Sequence, residues 1–307
     1  MDKINVSQYA KFPGHSSSIY SLAGGLEAHQ FFSASGDGLV VMWDLNTKED
    51  GIALAKTNST IYKIHCIQEQ KLLAIGQNNE GIQILDLERN KPSLSVKLSR
   101  SSIFSIVHLN EKLFVGTSLG ELFIIDYLKA KVLFRIKISE KSLRSLALGQ
   151  MNDILLIGSS DNMIYVFDVF TRTVVTKIPA HDNSIFSAKF ISVDKAISAG
   201  RDAKVKYWSV DKSVDFDIEM EIPAHMGTIN QIALSPDHKF FATCSMDKTI
   251  RIWRTKDGKL LKVIDSQKYD GHTSSVNCLL WSDYNNLLIS ASDDRTIMAW
   301  ELNFDKK

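Results

Sequence analysis

The feature that most constrains this chain is a spacing that occurs four times: a histidine closing a Gly-His or Ala-His pair, then a tryptophan 27 or 28 residues later. His15 pairs with Trp43, His181 with Trp208, His225 with Trp253 and His272 with Trp300. Six residues before each tryptophan stands an aspartate (Asp37, Asp202, Asp247, Asp294), and ten residues before it a hydroxyl (Ser33, Ser198, Thr243, Ser290). A constellation that recurs in register is a repeat signature, and a repeat dictates architecture. The residue types suit nucleophilic catalysis, but equivalent copies spread over a repeat array serve no single substrate. A structural role is therefore expected, with no catalytic residues and no enzymatic activity.

Fainter copies fill the stretch between. Ile82–Asp86, Leu122–Asp126 and Ile164–Asp168 end as Val41-Met42-Trp43-Asp44 does, with Leu85, Ile125 and Phe167 in the place of tryptophan. Counting back by the repeat spacing reaches Thr57, Ser99 and Ser139 at the histidine position. The segments Ile61–Ile64, Ile103–Ile106 and Leu143–Leu146 then parallel Ile19-Tyr20-Ser21-Leu22, which brings the count to seven. Within each copy, short β-branched and aromatic runs are broken by Gly, Asp, Asn and Ser, the mark of strands joined by tight turns. Four strands fit each period of roughly 40 residues, and no window carries an apolar stripe of helical period, so almost no helix is expected.

These residues resemble the WD40-repeat family, whose signature is Gly-His near one end of the repeat and Trp-Asp near the other. The resemblance covers essentially the whole chain, although only Trp43 is followed by aspartate. It implies an all-β fold, a seven-bladed β-propeller with one four-stranded blade per repeat. It implies a single domain over residues 1–307, with repeats at approximately 13–55, 56–97, 98–137, 138–179, 180–223, 224–270 and 271–307 plus 4–12. Lys11-Phe12-Pro13-Gly14-His15 matches the segments that precede the other strong histidines, and the last copy stops just after Trp300. The N-terminal strand is therefore expected to complete the last blade, which leaves no open edge.

The resemblance also implies that the four polar residues of each strong copy form a chain: indole to hydroxyl, hydroxyl to imidazole, imidazole to aspartate. Each link contributes about 0.5–1.5 kcal/mol net. Where tryptophan is missing, the hydroxyl position is apolar as well (Ile75, Val115, Ile157), and Asn79 and Leu119 replace two of the aspartates, while Asp161 stays. Loss in concert is what a shared network predicts, because an orphaned buried hydroxyl is penalised. Blades two to four are accordingly expected to be held by apolar packing alone.

Composition narrows the partners. A formal net charge of +1 gives no global attraction to nucleic acid or anionic lipid. Three cysteines, Cys66, Cys244 and Cys278, sit in apolar stretches without CxxC spacing, so they read as small hydrophobes in a reducing compartment. No metal site is expected, since each repeated histidine belongs to a different blade. No cofactor follows from any motif. MDKINVSQYA lacks the apolar region of a signal peptide and no apolar run reaches membrane-spanning length, which points to a cytoplasmic protein, a nuclear location also being compatible.

What the fold does not explain is more informative about function. In WD40 propellers the residue five past the repeat histidine, and the residue just before the turn aspartate, lie on the top face and commonly contact partners. Carried onto this sequence, the first set is Tyr20, Tyr62, Phe104, Arg144, Phe186, Asn230 and Asn277. The second is Gly36, Asn78, Ser118, Ser160, Arg201, Met246 and Asp293. Tyr, Phe, Met and Arg are the types enriched in interface cores and hot spots. The expectation is thus a non-enzymatic protein–protein interaction scaffold that binds a peptide or partner domain through Tyr20, Tyr62, Phe104, Arg144, Phe186, Arg201, Asn230, Met246 and Asn277. Two alternatives stay open: a small ligand or substrate in the central channel, and a nucleic-acid-associated propeller built on Arg144, Arg201, Lys204 and Lys206. The acidic connection at residues 211–221 reads as a solvated loop and outer strand. The oligomeric state is not legible.

Overall fold

The chain is described here by a computed structural model that covers residues 4–151, 153–210 and 216–304. Its strands form seven four-stranded antiparallel sheets, six of them simple meanders in sequence order. The seventh has the order Ile4–Phe12, Ile297–Phe304, Leu288–Ser292, Val276–Trp281. The fold is all-β, a seven-bladed β-propeller, and among the described residues helix is confined to Ser266–Tyr269 and two single 3-10 turns, Gln68–Gln70 and Tyr284–Asn286. The N-terminal strand completes the C-terminal blade as the sequence predicts: Ile4 pairs with Phe304 and Phe12 with Ile297. Of the acidic connection, Phe216–Pro223 is the outer strand of blade five, and residues 211–215 lie outside the described residues.

Two compact units are distinguishable, Met1–Lys71 with Asn230–Lys307, and Leu72–Ile229. In the first, blades six, seven and one are packed by aromatic and branched side chains. Trp300 and Phe31 are fully buried, and Phe12 meets Phe31 edge-on at 5.5 Å between centroids. Inner strands are tied blade to blade by polar side chains. Ser21 Oγ accepts from the Ile64 N–H at 3.2 Å, and Gln231 Oε1 accepts from the Leu279 N–H at 2.9 Å.

In the second unit, the middle strands are buried on both faces, so Ile154–Ser159 and Lys112–Thr117 read as near-continuous apolar runs. The outermost strands, such as Thr173–Pro179, are mostly exposed. Here Ser145 Oγ accepts from the Ala188 N–H at 2.9 Å, the counterpart of the Ser21 tie. Such ties satisfy inner-strand amides that have no further strand beside them.

One irregularity recurs and positions the site. In five first strands the pairing slips between residues two apart: Ile19 and Ser21, Ile103 and Ser105, Leu143 and Ser145, Ile185 and Ser187, Val276 and Cys278. The residue left out of register is Tyr20, Phe104, Arg144, Phe186 or Asn277. A β-bulge leaves one residue unpaired and re-aims its side chain.

Candidate functional site

The bulged residues are five of the seven positions in the first set read from the sequence, and the hairpin turns bring five of the second set beside them. The backbone N–H groups of Ser118, Ser160 and Arg201 donate to the carbonyls of Ser102, Ser142 and Ser184, and those of Gly36 and Asp293 donate likewise to Ser18 and Ser275. Each turn is thus pinned two residues ahead of its bulge.

In the second unit, the bulged side chains of three consecutive blades meet. The Arg144 guanidinium lies 4.0 Å from the Phe104 ring centroid and 5.2 Å from that of Phe186, and Arg144 Nε donates to Ser160 Oγ at 3.2 Å. A cation over an aromatic face contributes about 0.5–2 kcal/mol, more as water is excluded. All three side chains are half-buried, and Arg201 is exposed. In the first unit, Tyr20 and Tyr62 lie 5.0 Å apart between centroids, tilted by 51°. Met246 is exposed at 57%. Asn230 and Asn277 are engaged within the protein. The Asn230 amide donates to Val276 O at 2.8 Å and Ser275 Oγ at 3.1 Å, and that of Asn277 donates to Asp293 Oδ1 at 2.7 Å and Ile19 O at 3.1 Å.

The His/Ser/Asp/Trp sets are buried inside individual blades. In blade one the Trp43 indole donates to Ser33 Oγ at 2.8 Å, Ser33 contacts His15 Nε2 at 2.7 Å, and His15 Nδ1 contacts Asp37 at 3.0 Å. The same chain runs through Trp208, Ser198, His181 and Asp202, and through Trp300, Ser290, His272 and Asp294. In blade six the Trp253 indole donates to Thr243 Oγ1 at 2.8 Å. The carboxylate only accepts, so Nδ1 carries the proton and Nε2 accepts from the serine hydroxyl. Burial lowers the His15 imidazole more than Asp37 raises it. Burial also works to raise Asp37, Asp202 and Asp294, but hydrogen bonds from histidine and backbone N–H groups outweigh it and hold all three low. Among the described residues no group of three or more His, Cys, Asp or Glu gathers around a possible metal position.

The model of the family described as WD domain, G-beta repeat, matches residues 6–44, 217–254 and 264–301. Those stretches end on the tryptophan strands of blades one, six and seven. These three stretches are WD40 repeats, in a chain that folds as a seven-bladed β-propeller. Over 293 residues it is 24% identical to apoptotic protease-activating factor 1 of Rattus norvegicus, covering 94% of this chain and 22% of that protein. Protein tipD of Dictyostelium discoideum is 22% identical over 298 residues, 95% of this chain and 48% of that protein. Nuclear distribution protein nudF of Aspergillus niger is 30% identical over 180 residues, 51% of this chain and 38% of that protein. The propeller spans less than half the length of each of these relatives.

The blades without histidine and tryptophan depart from the expectation of apolar packing alone. In blade four the Ser139 hydroxyl donates to Asp161 at 2.6 Å, Tyr165 donates to the same carboxylate at 2.6 Å, and Ser159 donates to Ser139 at 3.2 Å. In blade three Ser99 donates to the buried Glu121 at 2.8 Å, and Arg135 Nε donates to it at 2.9 Å. In blade two Gln77 and Gln83 bond to each other at 2.7 Å. A serine at the histidine position is too short to reach the core hydroxyl site, but it still meets a carboxylate at the turn. The network was rebuilt nearer the turn. The sequence reading missed it because Glu121 lies two residues beyond the aspartate position and Tyr165 two residues before the tryptophan position.

Proposed function

We propose that this WD40 propeller is a non-enzymatic protein-interaction scaffold, its repeats working as one domain, in the cytoplasm or nucleus. A peptide or partner domain is recognised through the bulged residues, foremost Phe104, Arg144 and Phe186. The observation that carries this reading is the Arg144 guanidinium set against one ring from each flanking blade. An arginine already fixed in orientation loses little side-chain freedom on binding, so its hydrogen bonds and the ring faces contribute more of their gross energy to affinity. Arg201 extends this surface within the same unit, and in the other unit Tyr20, Tyr62 and Met246 are recognition residues, with Asn230 and Asn277, bonded to neighbouring strands, ordering the backbone there.

The test replaces Phe104, Arg144 and Phe186 with alanine, singly and together, and compares the proteins retained from native lysate by mass spectrometry. At least one retained protein is expected to be lost from the variants while the melting curve stays close to that of the parent. An unchanged set of retained proteins on a folded triple variant would rule the surface out.

A further inference from the structure

A second, separate feature of the Leu72–Ile229 unit lies at the opposite end of the same blades. Strand Ile103–Leu109 begins beside Arg144 and Phe104 and ends at the connection to Lys112–Thr117. That connection, the outer strand Lys131–Lys137 and the turn after Met163–Asp168 together line an open cleft. Its floor is the buried core of blade three, Phe114 and Ile124. Its lips are Phe134, exposed at 37%, and Phe170, exposed at 72%. Two phenylalanines left in water over an apolar floor are the kind of patch that marks an interaction site.

The lip is held rigidly. The Asp168 carboxylate accepts from the N–H groups of Phe170 at 2.8 Å and Thr171 at 2.7 Å, and the Arg172 N–H closes the turn on Asp168 O at 2.9 Å. Arg172 itself adopts a left-handed backbone, φ 60°, a conformation that costs a non-glycine residue about 1 kcal/mol. The result places its guanidinium 4.0 Å from the Phe134 ring centroid, on the rim.

The charged side chains of the lining are Lys112 and Arg172, both cationic and both exposed. Neighbouring carboxylates are committed elsewhere: Asp126 to Lys129, Glu121 to Arg135, Asp168 to its own turn. Among the described residues neither Lys112 nor Arg172 has an ion-pair partner. We propose that this cleft is a second docking site, for a short acidic peptide segment. A leucine or aromatic side chain of the partner enters between Phe134 and Phe170, and flanking Asp or Glu carboxylates pair with Lys112 and Arg172. The apolar anchor supplies affinity and the two cations set the orientation and discriminate against basic sequences.

The test is selection of a random-peptide phage library on the immobilised full chain. It is followed by fluorescence-anisotropy titration of the best synthetic peptide against the parent, the Phe170→Ser/Arg172→Glu double variant and Arg144→Ala. Enriched peptides are expected to carry one large apolar residue flanked by acids. The double variant should bind at least about ten-fold more weakly, while Arg144→Ala binds as the parent does. Both altered residues in the double variant are exposed, and its melting curve checks that the blade is intact. Enrichment of basic or purely apolar peptides, no enriched family, or equal binding to the double variant would each overturn the proposal. So would self-association of the parent that the double variant abolishes, since the occupant would then be a second copy of the chain.

Discussion

The Tyr165 hydroxyl donates to the Asp161 carboxylate at 2.6 Å, in a blade that has neither the histidine nor the tryptophan of the repeat. The carboxylate repays the bond by keeping the phenol a donor: burial first, then Asp161, pushes the Tyr165 hydroxyl up to about 12. Tyr165→Phe is expected to lower stability by about 1–2 kcal/mol, the lower part of the range for a bond to a charged group, because Asp161 retains Ser139. A shift of the urea midpoint checks this. A midpoint equal to that of the parent would mean that the network contributes nothing.

The complete chains should respond more strongly. Ser290→Ala removes one oxygen but leaves two buried groups without partners, the Trp300 N–H and His272 Nε2. With each orphan costing about 1–3 kcal/mol, a loss of roughly 2–4 kcal/mol is expected. Equilibrium denaturation should therefore rank Ser290→Ala well below Tyr165→Phe.

Acid should weaken the protein in two stages. His15 is held below its ordinary value of 6.5, so the folded state takes up its proton less readily than the unfolded chain. Its contribution is complete above 6.5 and is lost as pH falls toward the lowered value. Asp37, Asp202 and Asp294 are held below the ordinary 3.8, so theirs is complete above 3.8 and lost as pH falls through the depressed values. Urea midpoints measured across this range should decline gently below neutrality and steeply in strong acid. His15→Gln should flatten the first stage and leave the part of the second that Asp202 and Asp294 carry.

The thiols should be inert in the native state. Burial pushes Cys66 and Cys278 up to about 12 and raises Cys244 well above the ordinary thiol range. All three are free, although Cys66 is only half-buried, less enclosed than its apolar sequence context implies. Ellman's reagent at mildly alkaline pH is expected to react with none of them until denaturant is added, and then with all. Rapid native labelling of Cys244 or Cys278 would contradict the packing.

The legibility of this fold in its sequence followed the physics of each signal. Blade number came from a recurring strand ending before aspartate and the spacing back to the strand before it, so even blades without tryptophan could be counted from Leu85, Ile125 and Phe167. The pairing of Ile4–Phe12 with Ile297–Phe304 was legible because both halves carried recognisable fragments of one motif. The bulges were not, since a slip of one residue leaves no mark on apolar alternation. Nor were the Glu121–Arg135 and Tyr165–Asp161 contacts, which depend on side-chain reach across strands and not on identity at a fixed offset. The cleft at Phe170 escaped for the same reason, its walls being drawn from segments far apart in the chain.

The strand that completes the last blade has a consequence for synthesis. Ile4 leaves the ribosome about 300 residues before its partner Phe304. At about 5–20 residues per second, the interval is on the order of 15–60 s. Through that time the strand Ile4–Phe12, with Ile4 and Phe12 destined for the core, has no template to pair with. The nascent chain must carry an unsatisfied adhesive strand while the residues between are made, and the timing of its rescue is set by the ribosome.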